Sequence, residues 1–416
     1  MANNIILTPQ VYTRLTLMHL GGYLAVCRNM TKEYTKEFGK KDYKVGDTVS
    51  VRKPQRFLAT TGLQYQPQAL TNTRTTITVN DVTGVHFEFD SIEKTLSIQD
   101  ASQYAKPSAI ALAHNINSRA AQYVAQNTWN AVGTPGTTPT TIDTYLAAGD
   151  KIVQGGLPPD EDLSCIVSRK FSSQFVVGQK TYFNPAGQIS NIIKKGEITN
   201  EDPTLGFRWQ RDQTIYNQTI GPLGGTPLVN GSGQTADGGN NATMSLLTKG
   251  WTAAAASRLV VGDRFTIANV YSVHPQTKQS TGDLQQFVVQ AAFSSDASGN
   301  GSVTIAPAIT ISGQYQNVTA SPIDGAAITV FGTANTVSPQ ALLMHQNAYA
   351  FCSIPLEDPI SGKGVESAEQ ETDPDTGLTL SFIRFFDGVN RIHGNRFDTL
   401  DGFGRLYSEL ACVIAG

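Results

Sequence analysis

Between residues 222 and 336 the chain is built largely from Gly, Thr, Ser, Asn and Val, in short apolar runs cut by turn residues. RFTIA (264–268), QFVVQ (286–290), SVTI (302–305) and AITVF (327–331) are separated by clusters of Gly, Asn, Asp and Ser. β-Branched and aromatic side chains fit a pleated surface, and the intervening residues supply turn conformations. Closely spaced runs of this kind therefore read as strands joined by tight turns. Helical patterns lie on the flanks, so the segment reads as a self-contained β unit set inside a chain whose two flanks complete one another.

A length of 416 residues gives room for roughly two to three domains. Charged residues make up only 16%, against about 25% in an average soluble chain. Open surfaces are normally rich in Lys and Glu, whereas interface cores are depleted in them. Polarity carried by Thr, Gln, Asn and Ser thus points to extensive contact with protein, and assembly is the first expectation. The net charge is −3, and Lys and Arg are scattered except in 32–56, where Glu33, Glu37, Asp42 and Asp47 interleave with them. This argues against a dedicated nucleic-acid groove. Cys27, Cys165, Cys352 and Cys412 stand far apart among apolar neighbours and read as buried thiols in a reducing compartment. No signal peptide is expected at the start of the chain, and no membrane partner, because no apolar run approaches the ~18 residues of a spanning helix.

Along the chain, Pro9 behind Thr8 opens a helix whose apolar face holds Val11, Leu15 and Met18, with Leu17, Leu20 and Leu24. Gly21 and Gly22 interrupt it, and a second helical turn ends near Asn29. A strand is expected at 48–52, then a stretch without period over 54–70, then strands at 75–79 and 84–89. Strands with a long polar tip make an arm that cannot bury both faces against its own body. Ile110, Ala113, Ile116, Ala120, Val124 and Trp129 then form the longest helical stripe, bounded by Pro107 and Gly133. About 25 residues of helix span roughly 38 Å, and so Ala-rich a stripe reads as a structural spine. Helices are further expected at 140–155 and 170–178, and strands at 165–167, 205–209 and 213–216. After the β unit, 341–354 is an apolar run, 377–387 a half-buried strand, and 405–414 a terminal strand tucked into the core.

Catalytic signatures are missing: there is no G-x-x-x-x-G-K-[ST], H-E-x-x-H or G-x-S-x-G. His19, His86, His114, His274, His345 and His393 share no i,i+4 spacing. DPDTG (373–377) resembles the start of a calcium loop, but its Pro and its early Gly make a type I turn the expectation. Glu357, Asp358, Glu366, Glu369, Glu371, Asp373 and Asp375 read as an acidic, solvated loop. The Gly-rich stretch 221–239 lacks a Lys and a following helix, and reads as a flexible loop rather than a phosphate cradle. No catalytic, cofactor-binding or metal-binding residue is expected, and no enzyme activity.

The order of these elements, with TVSVRKP (48–54), VVGDRFTI (260–267), FVV (287–289) and DTLDG (398–402), resembles the tailed-bacteriophage major capsid proteins of Hong Kong 97-type fold. More narrowly, it is similar to the inserted-domain coat-protein family typified by the short-tailed Salmonella phage. That resemblance implies an α+β fold with an N-arm (1–44), an E-loop hairpin (45–94), and a spine helix with peripheral domain (95–157). It also implies an axial domain in two parts (158–222 and 336–376), an inserted antiparallel β-barrel (223–335) and C-terminal peripheral strands (377–416). Its implied function is self-assembly into pentamers and hexamers of an icosahedral head around double-stranded DNA, through a scaffolded procapsid that expands. The implied partners are further copies of the chain, a scaffolding protein, a portal protein and weakly held DNA, with a decoration protein left open; no cofactor is implied. The implied location is the virion capsid, assembled in the bacterial cytoplasm. Inter-subunit contacts are expected at Arg52, Lys53, Arg56, Phe57, Tyr65, Arg74, Asp237, Asn240 and Asn241, and hinges at Gly21, Gly22 and Gly62. The family's loop across a two-fold contact is charged, whereas 231–241 here holds only Asp237, so uncharged hydrogen bonding or a shortened reach is expected. A secreted β-rich adhesin or surface-layer protein is the alternative, and would need an export signal. An α/β enzyme would need a catalytic constellation.

Overall fold

The computed structural model describes residues 9–21, 23–32, 48–52, 57, 67–68, 74–90, 105–157, 162–178, 205–356, 365–374 and 376–416. In chain order the first elements are α1 (Pro9–Gly21), α2 (Ala25–Arg28), β1 (Thr48–Arg52), β2 (Arg74–Thr78), β3 (Asp81–Asp90), α3 (Ala105–Asn127) and β4 (Ala131–Gly133). There follow α4 (Ile142–Gln154), β5 (Leu163–Val167), α5 (Arg169–Gly178), β6 (Phe207–Arg211) and β7 (Asn217–Thr219). Next come β8 (Gly225–Val229), β9 (Met244–Trp251), β10 (Ala256–Leu259), β11 (Arg264–Val273), β12 (Ser280–Val289), β13 (Phe293–Ser295), β14 (Gly301–Ala306) and β15 (Ile328–Val330). The last are β16 (Val337–Met344), β17 (Tyr349–Ile354), β18 (Val365–Thr372), β19 (Thr379–Asp387), β20 (Ile392–Arg405) and β21 (Ala411–Ala415).

The chain divides into two compact units. The first comprises 1–51, 76–120 and 350–404. At its centre β20 pairs antiparallel with β19 and with β3, while β18 extends the sheet beyond β19 and β17 also joins β20. Alternation buries Leu380, Phe382 and Phe397, whose last two rings stand 4.8 Å apart. Within this unit α3 buries Ala109, Leu112, Ala113, Ile116 and Ala120, a three–four spacing that keeps one stripe inward. Asn117 is a polar member of that stripe, and its Oδ1 accepts from the Val26 N–H at 2.9 Å, supplying a partner that the first turn of α2 lacks. β1 and β2 pair as a separate two-stranded ribbon, whereas β3, over the strand expected at 84–89, joins β20 along its whole length.

The second unit comprises 52–75, 121–349 and 405–416. One sheet runs β4-β21-β16-β5-β6, with β7 pairing β16. Its core collects Tyr145 and Ile152 of α4, Phe171 and Phe175 of α5, Cys165, Trp209, Leu343, Cys412 and Ile414. A second sheet runs β15-β11-β12-β14-β9-β8, and contact of Leu228 with Ala327, backed by Val229 N to Ala326 O at 2.9 Å, brings its two edges together. Phe265, Ile267, Phe287, Val289, Leu246 and Ile305 fill it, so all four strand-like runs of the sequence lie in one antiparallel barrel. Chain entry and exit are adjacent, because β7 pairs β16 and Ile220 N donates to Thr336 O at 3.0 Å. Asp263 ties this neck: it accepts from Gly221 N at 3.1 Å, Val260 N at 2.9 Å and Gln218 Nε2 at 3.1 Å. Burial is the main influence on its carboxyl and raises the pKa, while those donors pull it down.

Several expectations are corrected. The spine helix ends at Asn127, short of the expected stop at Gly133. Asn127 Nδ2 and Thr128 Oγ1 turn back onto the carbonyls of Tyr123 and Val124, and Ala131–Gly133 instead pairs in parallel with β21. No strand forms at 213–216, because Asp212 Oδ1 captures both the N–H and hydroxyl of Thr214 in a tight turn. The terminal run 405–414 is not one strand: Leu406 N and Tyr407 N both donate to Ala348 O, a 3-10 turn (Ser408–Leu410) follows, and only then does β21 begin. The acidic stretch is not all loop, since Glu366, Glu369 and Glu371 lie on β18. DPDTG closes through Gly377 N to Asp373 O at 2.8 Å, one residue wider than a type I turn. All four cysteines are buried, as expected, and none forms a disulfide.

Candidate functional site

The predicted contact residues of the arm are partly described. Phe57 is 60% exposed, and Arg74 is exposed at the start of β2. The Arg52 side chain, Lys53, Arg56 and Tyr65 lie outside the described residues, as do the hinge positions Gly22 and Gly62; Gly21 is the last residue of α1.

On the barrel, the Gly-rich segment after β8 is not a free loop. Gln234 Oε1 accepts from Leu247 N at 2.7 Å, and its Nε2 donates to Asn230 O at 3.0 Å and Leu247 O at 3.2 Å. Gly231 N donates to Asp324 Oδ1 at 2.7 Å, Gly233 N to Pro322 O at 3.1 Å, Ala236 N to Ile309 O at 2.9 Å and Gly239 N to Thr310 Oγ1 at 3.0 Å. A partner at every second or third residue folds the segment back on the barrel, correcting the flexible-loop expectation. Asp237 is exposed. Asn240 is half-buried and turns inward, accepting from Asn317 Nδ2 at 3.2 Å. The Asn241 side chain lies outside the described residues.

Two features at this end were missed from sequence. Lys249 Nζ and Asp324 Oδ1 pair at 2.6 Å, and the Lys249 hydrogen bond, with the Gly231 N–H second, holds the Asp324 carboxyl below its usual range. Leu247 (51% exposed) and Ile323 (60%) lie open on either side of the segment. A signal for Leu247 existed, because it takes the outward register of β9 between buried Leu246 and buried Thr248.

The far end of the first unit's sheet is also under-covered. No residue of β18 is buried on either face, and β19 is buried only from Thr379 to Phe382. Phe385 and Phe386 are exposed, and Val389 at the β19–β20 turn is 91% exposed. A cleft of about 390 Å³ opens there between His86, Glu88, Phe385, Gly394 and Arg396. The Phe385 ring lies over Gly394, where an added Cβ would stand 2.1 Å from it. α1 packs on β18 and β19 and covers this end only in part, and an edge strand with apolar side chains left open is suited to association, since both gain from a neighbour.

Reactive chemistry does not gather at either surface. His345 Nδ1 accepts from Asn347 N at 3.2 Å, and His274 Nδ1 from Gln276 N and Thr277 N, both at 3.3 Å. His114 packs on Tyr23, and His393 lies between Phe89 and Phe386 with Glu366 at 3.6 Å. Among the described residues no group of three or more His, Cys, Asp or Glu could hold a metal, and no helix is long and apolar enough to cross a membrane.

The family model described as "P22 coat protein - gene protein 5" matches residues 23–411. No match was found among curated proteins. Among solved structures, that of Mycobacterium phage Che8 is 11% identical, with 94% of this chain and 90% of that chain covered and a TM-score of 0.47. The asymmetric unit of the bacteriophage PhiM1 mature capsid is 9% identical over 89% of this chain and 82% of that one, at TM-score 0.42. The CUS-3 coat protein I-domain is 33% identical over 25% of this chain and 94% of that one, at TM-score 0.19. With residues 23–411 of 416 matched, this chain belongs to the P22 coat protein family.

Proposed function

We propose that the protein is the major capsid protein of a tailed bacteriophage. Many copies close into pentamers and hexamers of an icosahedral head around double-stranded DNA. The match to the P22 coat protein family over 23–411 carries this reading, and with it the Hong Kong 97-type fold, α+β with an inserted antiparallel barrel. The low charge content and the under-covered sheet end support it from physical grounds.

In this reading the function is mechanical and no bond is made or broken. Each interface can be modest, because closure of a shell multiplies contacts, and weak contacts allow misplaced subunits to leave. A scaffolding protein guides a procapsid, a portal occupies its place in the shell, and the shell expands as DNA enters. A net charge of −3 suits a wall that faces DNA without gripping it. The two-stranded ribbon of β1 and β2 reaches a neighbouring copy, the barrel end that carries 231–241 contacts one at shorter reach, and the protein resides in the virion after assembly in the bacterial cytoplasm.

The test is the size of the full chain expressed with its scaffold, by sedimentation and negative-stain microscopy. Closed shells or rings are expected. A discrete monomer whose stability depends on a small ligand would overturn the reading.

A further inference from the structure

Arg264, the first residue of β11, is 3% exposed, yet among the described residues its guanidinium bonds only neutral acceptors. Nε donates to Thr128 O at 2.9 Å, Nη2 to Ala125 O, and Nη1 reaches Gln340 Oε1 at 3.5 Å. Ala125 and Thr128 belong to the last turn and exit of α3. The final carbonyls of a helix have no partners within it and carry the negative end of its dipole, so a buried cation is well placed there. A buried charge without such acceptors would be costly.

The barrel grips the same stretch at three more points. Gln286 of β12 clasps Ala131 both ways, Oε1 accepting from its N–H at 2.8 Å and Nε2 donating to its carbonyl at 2.9 Å, so a side chain imitates a strand partner beside β4. Gln290 Nε2 reaches Gln126 O at 3.4 Å. Between these polar points, the Trp129 side chain packs with Val288 of β12 and Ala306 of β14 in a small buried cluster. The groups come from four places on the barrel and converge on residues 125–131.

We propose that the inserted barrel is the C-terminal cap of the α3 helix, with Arg264 as its positioning residue, so that helix end and barrel turn as one body when subunits assemble. The joint motion on assembly rests on the capsid reading; the cap itself does not. Hydrogen exchange by mass spectrometry on the unassembled full chain tests the cap. In Arg264→Lys, which keeps the charge but loses the fork, amides of 125–132 should exchange about tenfold faster while those of β9 and β14 stay unchanged. Unchanged exchange at 125–132, or an equal rise throughout β9 and β14, would overturn it. If Arg264→Lys is insoluble, Gln286→Ala is read in the same way, with a severalfold rise expected over 128–133 and no rise counting against the proposal. Electron microscopy then measures shell diameter. A broadened distribution is expected at an unchanged thermal midpoint of the barrel, and a normal one beside faster exchange would reduce the cap to a purely structural feature and overturn the positioning role. Failure of the unsubstituted chain to form shells would instead sink the capsid reading and leave the exchange result standing.

Discussion

Asp401 in β20 shows how one residue can tune the fold. Its side chain is fully buried, and both carboxylate oxygens meet Arg119 Nη2 at 2.8 Å, while the same guanidinium reaches Asp81 Oδ2 at 3.0 Å and Thr83 Oγ1 at 2.6 Å. Burial dominates and pushes the Asp401 pKa up to about 6, against the charge and hydrogen bonds of Arg119. A folded value above the unfolded one means that folding favours the protonated acid. The resulting stability is fully present below about pH 4 and is lost as pH rises through about 6. Wild type should therefore gain on Asp401→Asn in denaturant midpoint as pH falls from 7 to 5, and parallel pH profiles for the two would refute this. Gly402 makes a second case. A Cβ there would stand 2.1 Å from Thr78 O and 2.8 Å from Val79 Cα. Because both obstacles are backbone, Gly402→Ala should cost about 1–3 kcal/mol in urea unfolding; a neutral result would mean that the strands can part freely. The sequence marks this glycine within DTLDG, but only packing explains it. Arg264, Asp263 and Asp401 look like surface charges in the sequence, since burial of a charge depends on partners brought from distant parts of the chain.

Elements were legible where periodicity is strong and misread where local hydrogen bonding competes. α2, α4, α5 and the barrel strands follow apolar spacing and turn residues, whereas α1 forms where expected but leaves Met18 68% exposed while burying Leu17 and Leu20. The end of α3 does not, because Asn127, Thr128 and the pairing of β4 with β21 withdraw the expected last turn. β18 was hidden by its acidic composition: strand pairing with β19 and the Arg14–Glu371 contact at 3.0 Å hold it in place of an apolar face. The segment after β8 was misread for the opposite reason, its glycines suggesting freedom where Gln234 supplies restraint. Gln234→Ala should leave barrel stability within about 1.5 kcal/mol of wild type while making 231–240 cleavable by a non-specific protease under native conditions. Resistance equal to wild type would show that the segment is held without that side chain.

For the molecule as a whole, the capsid reading separates two kinds of contact. Val79 is buried, so a proline there would damage the fold; exposed Phe57 is the cleaner probe of the arm. Phe57→Ala should give a soluble chain with an unaltered circular dichroism spectrum and a markedly reduced yield of shells. Asp237→Ala should assemble like wild type at low and high salt, because the barrel end offers Leu247, Ile323 and a pinned backbone, and its Lys249 and Asp324 are already paired with each other. Loss of assembly in Asp237→Ala, reversed by Asp237→Glu, would restore an electrostatic contact. The sequence by itself determined a β unit between two flanks and the spine helix, because these rest on periodicity and turn chemistry, while the α+β class and the barrel were implied by the resemblance to phage coat proteins, which rests on the order of elements and a few short motifs. Only the tertiary structure decided where the helix stops, which charges are buried, how the barrel's neck is tied and which surfaces remain uncovered. Each of these depends on groups far apart in sequence competing for the same donors, acceptors and space.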